Sequence, residues 1–162
     1  MQTSYHVKIT KDNLVFSAGH FITFAEGVCE RIHGHNYRVE AEIYGPLDEN
    51  HYVVDFIAAR DTLQEIVGEL DHRMLLPTSH PAIELEEDER EVTALFEDRR
   101  WVFPRAECVL LDVPNTTTEL LAKYIGEQFF KRIQSRVPFT PQRMVIGVDE
   151  NHGQWGYCTW QG

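Results

Sequence analysis

His33 and His35, with one glycine between them, put two imidazoles at positions i and i+2. An extended backbone sends both to the same face. His20, upstream in Phe16-Ser17-Ala18-Gly19-His20, would complete a set of three from a neighbouring strand. Three histidines with an open fourth position are the donor set of a catalytic zinc site, whereas structural zinc sites close all four positions. Cys29 lies four residues before the pair, in Cys29-Glu30-Arg31-Ile32-His33-Gly34-His35. A thiol beside a divalent metal and a cationic histidine titrates low and reacts as the thiolate. The plainer reading of a cysteine is a small buried apolar residue, and Cys108 and Cys158 are left under it.

Four further places carry groups suited to proton chemistry or polar recognition. Asp71-His72 reads, taken alone, as a helix end whose histidine complements the dipole. Thr116, with Glu119 three residues later, matches a capping box at a helix start. Glu150 falls in phase with Met144, Ile146 and Val148, on the apolar side of a strand. A carboxylate there is costly unless donors pair with it. Glu30, taken alone, reads as an exposed charge.

The elements that must position these groups follow from periodicity. Tyr5 to Ile9 and Leu14-Val15-Phe16 read as two extended pieces about an Asp12-Asn13 turn, the second ending near His20. Phe21 to Val28 is a connection that delivers Cys29. From Asn36 to Tyr44, Tyr37, Val39, Ala41 and Ile43 alternate with Arg38, Glu40, Glu42 and Tyr44, the pattern of a half-buried strand. After turns at Gly45-Pro46 and Asp48-Glu49-Asn50, a helix begins near Phe56. Phe56, Ala59, Leu63, Ile66, Val67 and Leu70 form its apolar face and Arg60, Gln64 and Glu65 its wet side. Asp71-His72 follows at its end.

Pro77 and Pro81 bracket a loop, and the acidic run Glu84 to Glu91 reads as a solvated surface. Val92 to Phe96 and Arg100 to Phe103 read as two short strands about Glu97-Asp98, followed by an apolar run from Cys108 to Leu111. A second helix starting near Thr116 carries Leu121, Tyr124, Ile125, Gln128, Phe129 and Ile133 at helical spacing. Met144 to Val148 and Gln154 to Trp160 close the chain as strands about an Asn151-His152-Gly153 turn. The order predicts an α+β domain over residues 1–162 with an antiparallel sheet.

The totals narrow the function. Fifteen basic against twenty-six acidic residues give a formal net charge of −11, which excludes the basic field that a nucleic-acid partner requires. No apolar run reaches membrane-spanning length, and the N-terminal residues lack a signal-peptide pattern. Three irregularly spaced cysteines make no disulfide framework, so the expected compartment is the cytoplasm.

The ordered set Phe16-Ser17-Ala18-Gly19-His20, Cys29 with His33-Gly34-His35-Asn36-Tyr37, Asp55-Phe56, Leu70-Asp71-His72, Thr117-Thr118-Glu119-Leu120-Leu121-Ala122 and Glu150 resembles the 6-pyruvoyl-tetrahydropterin and 6-carboxytetrahydropterin synthase family. The motifs span nearly the whole chain. Residues 81–106 carry none of them and read as a subfamily insertion.

The resemblance implies the tunnelling fold: a four-stranded antiparallel sheet with two helices on one face, sheets closing into a barrel in a trimer, and trimers stacking into a hexamer. Active sites lie at subunit interfaces in that family, and trimer closure would pair the sheet's open edges. It also implies zinc on His20, His33 and His35, a relay of Cys29, Asp71 and His72, and a pterin pocket with Thr117, Thr118, Glu119 and Glu150. The implied substrate is 7,8-dihydroneopterin triphosphate, and the product is the 6-carboxy or 6-pyruvoyl tetrahydropterin.

Glu30 departs from the simple pattern. Some relatives have a glutamate here and no cysteine, and cut the side chain to give 6-hydroxymethyl-7,8-dihydropterin for folate; Phe21-Ile22-Thr23-Phe24 is similar to that branch. The spacing of Cys29 to the histidines is similar to the queuosine branch, in which acetaldehyde leaves. A non-catalytic zinc- or pterin-binding protein on the same fold is the rival from another class.

Overall fold

The apolar residues Tyr37, Val39, Ala41 and Ile43 become the inner face of the longest strand in the computed structural model, which describes residues 2–25 and 27–162. In chain order the elements are β1 (Tyr5–Ile9), β2 (Val15–His20), β3 (Thr23–Phe24), β4 (Val28–Cys29), β5 (His33–Gly45), α1 (Phe56–Leu70), β6 (Arg73–Pro77), β7 (Glu84–Glu87), β8 (Glu91–Phe96), β9 (Arg99–Pro104), β10 (Cys108–Leu111), α2 (Thr118–Ile133), β11 (Arg143–Asp149) and β12 (Trp155–Gln161). The main sheet runs β10-β6-β2-β5-β11-β12, with β1 also paired to β5.

Both β1 and β2 run antiparallel to β5 along the same edge, from Tyr5 opposite Gly45 to His20 opposite His33. They are one strand position interrupted at residues 10–14. With β5, β11 and β12 they make four antiparallel positions. The sheet itself is larger than the expected four strands, and it is mixed: seven strands, with β6 parallel to β2 and β10 parallel to β6. The added strands are short, and from Met74 and Cys108 onward they are apolar because they are covered on both faces. In β6, Leu75 enters the core shared with the helices, while Met74 and Leu76 enter a second cluster. Such a strand shows no polar alternation, so Met74-Leu75-Leu76 gave no signal in the sequence.

The helices lie together on one face. Ala59, Leu63, Ile66, Val67 and Leu70 of α1 and Leu121, Ala122, Ile125, Phe129 and Ile133 of α2 share one core with Phe16, Tyr37, Val39, Ala41, Ile43, Met144, Ile146 and Val148. Each Val, Leu, Ile, Phe or Met among them contributes roughly 1.5–3 kcal/mol on burial. Asp55 caps α1 by accepting from the amides of Ile57 and Ala58 at 2.8 and 2.9 Å. Phe56, expected on the apolar face, is instead 56 % exposed at the first helical position, before the helix reaches the core at Ala59. The expected capping box is also absent. The N-cap of α2 is Thr117, and Thr116 is buried with its hydroxyl donating to Phe21 O at 3.2 Å.

The segment expected as an insertion, residues 81–106, forms a separate antiparallel sheet of β7, β8 and β9, one strand more than predicted. The acidic run is its exposed outer strand and turn. Its inner residues Val92, Ala94 and Phe96 cover the second cluster, which also contains Phe21, Cys29, Met74, Leu76, Ile83 and Cys108. No helix of the described residues is long and apolar enough to cross a membrane.

Candidate active site

The antiparallel register sets the three histidines together. His20 stands directly opposite His33, and Ala18 opposite His35, so His20, His33 and His35 emerge on the helix face within one turn of pleat. Their ring centroids are 4.7 Å (His20 to His33), 4.8 Å (His33 to His35) and 5.3 Å (His20 to His35) apart. One ring nitrogen from each lies within 4.8 Å of the other two. His20 Nδ1 is 3.0 Å from Thr116 O, and His33 Nδ1 is 2.8 Å from Arg31 O. A carbonyl only accepts, so these nitrogens carry the protons and the Nε2 lone pairs point inward. Backbone carbonyls thus supply the orienting partners that histidine ligands need. Burial holds the pKa of His20 down to about 4, so its ring is neutral at pH 7.

Two carboxylates approach the same lone pairs. Glu150 Oε1 is 3.4 Å from His20 Nε2 and 3.8 Å from His35 Nε2, and Glu30 Oε2 is 3.8 Å from His33 Nε2. Two anions gathered around three lone pairs form a donor set that calls for a positive charge between them. The set therefore fits a divalent metal ion, and the three imidazoles are the residues that could hold it. Glu150 reaches the site because it continues the inward phase of β11. Asp149 accepts from the amides of Gly153 and Gln154 at 2.8 and 2.9 Å and holds the following turn. The Tyr37 hydroxyl lies 3.2 Å from His20 Nε2 and 3.3 Å from its Nδ1, and burial together with Glu150 pushes its pKa upward.

Cys29 does not join this group. Its side chain packs in the second cluster, beneath the β7–β9 sheet, and its sulfur lies 3.6 Å from Glu30 O. Burial pushes the thiol pKa up, against a partial lowering by Arg99, opposite to the low value expected from its place in the sequence. The reason is local: consecutive residues of an extended segment face opposite ways, so Glu30 points to the triad when Cys29 points to the cluster.

Asp71 and His72 form a pair, His72 Nδ1 lying 2.8 Å from Asp71 Oδ2. The Ser17 amide donates to Asp71 Oδ1 at 2.7 Å and holds the carboxyl below the usual range, with a smaller contribution from His72. Among the described residues no hydrogen bond or ion pair joins His72 to Cys29 or to the triad. His72 instead borders an open cavity of about 410 Å³ lined by Ser17, His35, Asn36, Arg73 and Phe103.

Thr117, Thr118 and Glu119 begin α2 immediately after Thr116, and the Thr118 hydroxyl donates to Glu119 Oε2 at 3.2 Å. This places the start of the helix beside His20. Two contributors were missed in the sequence. Tyr37 was read only as a core residue, although its phase with His35 puts it on the triad's face. The Thr116 carbonyl carries no side-chain signal.

The chain is similar to proteins of one family. The family model described as 6-pyruvoyl tetrahydropterin synthase matches residues 8–159. A Methanocaldococcus jannaschii protein named as a 6-carboxy-5,6,7,8-tetrahydropterin synthase is 31 % identical over 146 residues, covering 90 % of this chain and 88 % of that one. A Pyrococcus horikoshii protein of the same name is 36 % identical over 124 residues, covering 75 % and 73 %. The fold is similar to that of Plasmodium vivax 6-pyruvoyltetrahydropterin synthase, in a variant whose catalytic glutamate is replaced by alanine. The TM-score is 0.89 at 24 % identity, over 99 % of this chain and all of that one.

Proposed function

Because the chain belongs to the 6-pyruvoyl tetrahydropterin synthase family, we propose that it is a zinc-dependent lyase acting on 7,8-dihydroneopterin triphosphate to give 6-carboxy-5,6,7,8-tetrahydropterin, or its 6-pyruvoyl counterpart. The observation that carries this reading is the convergence of the His20, His33 and His35 nitrogens beside Glu150. Zinc on the three imidazoles would supply Lewis acidity to the side-chain hydroxyls of the substrate. Glu150 accepts from the ring amide and exocyclic amine of the pterin, and Thr117, Thr118 and Glu119 line the same pocket from the start of α2. Asp71 holds the His72 imidazole so that it exchanges a hydroxyl proton. The Cys29 thiolate, once turned out of its apolar cluster, takes or returns a carbon-bound proton.

We read the active unit as an oligomer. The sheet's outer strands β10 and β12 each leave one edge unpaired among the described residues. Closure of three sheets into a barrel, with trimers stacking into a hexamer, would cover such edges. The same assembly would let Asp71 and His72 of one subunit serve the triad of another.

A second reading keeps the substrate and changes the product. Glu30, not Cys29, has its reactive group beside the triad, which favours cleavage to 6-hydroxymethyl-7,8-dihydropterin with Glu30 as the base. Anaerobic incubation of zinc-loaded protein with 7,8-dihydroneopterin triphosphate, followed by mass analysis, separates the readings. A carboxy or pyruvoyl product abolished by Cys29→Ala supports the first. A hydroxymethyl product abolished by Glu30→Gln supports the second. No turnover by a metal-replete, assembled protein overturns both and leaves a zinc- or pterin-binding protein.

A further inference from the structure

The β8–β9 hairpin, which carries none of the family's motifs, reaches back to the segment that bears Cys29 and Glu30. Arg99 Nη1 donates to Cys29 O at 2.9 Å and lies 3.5 Å from Glu30 O. Its guanidinium lies over two rings of the same hairpin, 5.0 Å from the Phe96 centroid and 5.3 Å from that of Trp101. Trp101 in turn stacks on Phe21 at 4.8 Å, next to the ligand His20 in the chain. A planar cation packed on two aromatic rings has few ways to move, so the two carbonyls are held by a rigid group.

The segment has little else to fix its phase. Among the described residues, strands β3 and β4 pair through Thr23 with Cys29 and Phe24 with Val28, supported by the Glu30 amide donating to Ile22 O at 2.9 Å. Shifting an extended segment by one residue exchanges the side chains on its two faces. At this place the exchange would bring the Cys29 thiol to the triad and withdraw the Glu30 carboxylate.

We infer that Arg99 is a positioning residue that holds the Cys29–Glu30 peptide in the phase with the carboxylate toward the three histidines and the thiol sequestered, and so biases which product the enzyme makes. The bias on product rests on the lyase reading above; the sequestration of the thiol does not. Arg99 touches neither substrate nor metal ligand in this role. A lysine at 99 could reach one carbonyl and would lose the planar stack, so it would act in part.

The test uses the full-length, metal-loaded protein as wild type and as Arg99→Ala, Arg99→Lys and Arg105→Ala. Arg105, just after β9, pairs with Glu87 of β7 at 2.9 Å, so its loss loosens the β7–β9 sheet without touching the clamp. The first readout is the rate at which iodoacetamide alkylates Cys29 in the folded protein, mapped by mass spectrometry with Cys158 of β12 as internal reference. Because Arg99 also lowers the Cys29 thiol pKa, the rates are compared as thiolate rates taken from their pH profiles. Loss of a charge-assisted hydrogen bond should raise that rate about tenfold in Arg99→Ala, less in Arg99→Lys, and not in Arg105→Ala. The second readout is the ratio of carboxy or pyruvoyl to hydroxymethyl product, which should rise in the same order. If Arg99→Ala does not fold, Arg99→Lys against Arg105→Ala decides.

Unchanged Cys29 alkylation in a folded Arg99 variant overturns the inference, as does an equal rise in Arg105→Ala. A rise in alkylation with an unchanged product ratio overturns the product bias alone. Absence of turnover in the wild type strikes the lyase reading, while the alkylation arm still judges the clamp.

Discussion

Gly156 is where the packing of a helix bears on the chemistry of the triad. It lies in β12 beneath the first turn of α2, and a Cβ added there would stand 2.5 Å from Thr118 Oγ1 and 2.8 Å from Glu119 N. The second atom is helix backbone, which cannot swing aside as a side chain can. Gly156→Ala therefore forces α2 or β12 to shift, an overpacking cost of about 1–3 kcal/mol. For a chain of this size that corresponds to a Tm lower by roughly 3–10 °C. The same shift moves Thr116, whose carbonyl orients His20, and loss of such a partner lowers metal affinity about 10–100-fold.

Thermal melts and zinc competition against a chromophoric chelator measure the two effects. Gly147→Ala is the control. Its Cβ would meet the Tyr157 ring and the Glu40 side chain on the sheet face away from the triad, so it should lower the Tm and leave zinc affinity unchanged. A Gly156→Ala protein that melts early yet binds zinc normally would refute the link between the start of α2 and His20. One that melts normally would refute the close approach itself.

Two further outcomes follow from the site. The Asp71 carboxyl is held below its ordinary 3.8, chiefly by the Ser17 amide, so its contribution to stability is complete above about pH 4 and is lost as the pH falls through the lower folded value. Melts at stepped pH should show wild type exceeding Asp71→Asn at neutral pH and the difference closing in acid; a constant difference would argue against the Ser17 contact. Zinc at about 100 times its dissociation constant should stabilise the protein by about 2.7 kcal/mol, and a chelator should reverse this. In His20→Ala the response should be absent.

The parts of the fold with one wet face were legible in the sequence. The β5 alternation and the α1 and α2 stripes are amphipathic, and the alternation of Met144, Ile146 and Val148 carries Glu150 to the inner side of β11. Strand β6 gave no signal, and β10 showed only as the apolar run Cys108 to Leu111, because both are covered on both faces, which removes the polar half of the pattern. Cys29 shows a different limit. Sequence proximity to the histidines suggested a reactive thiol, but the neighbour that decides its environment is the hairpin bearing Trp101 and Arg99, some seventy residues later. The orienting partners of His20 and His33 are main-chain carbonyls, which every residue has and no motif can mark.

The pairing of β2 with β5 also bears on how the protein is made. All three imidazoles lie on one local hairpin within the first 35 residues, in direct register. The Thr116 carbonyl and the Glu150 carboxylate arrive from much later in the chain. Local hairpins form before contacts between distant segments, so during synthesis the imidazoles can gather while the residues that complete their surroundings are still inside the ribosome. An ion captured at that stage would cross-link the ends of the 21–32 connection and hold β2 against β5, a template onto which β11 and the start of α2 are later laid.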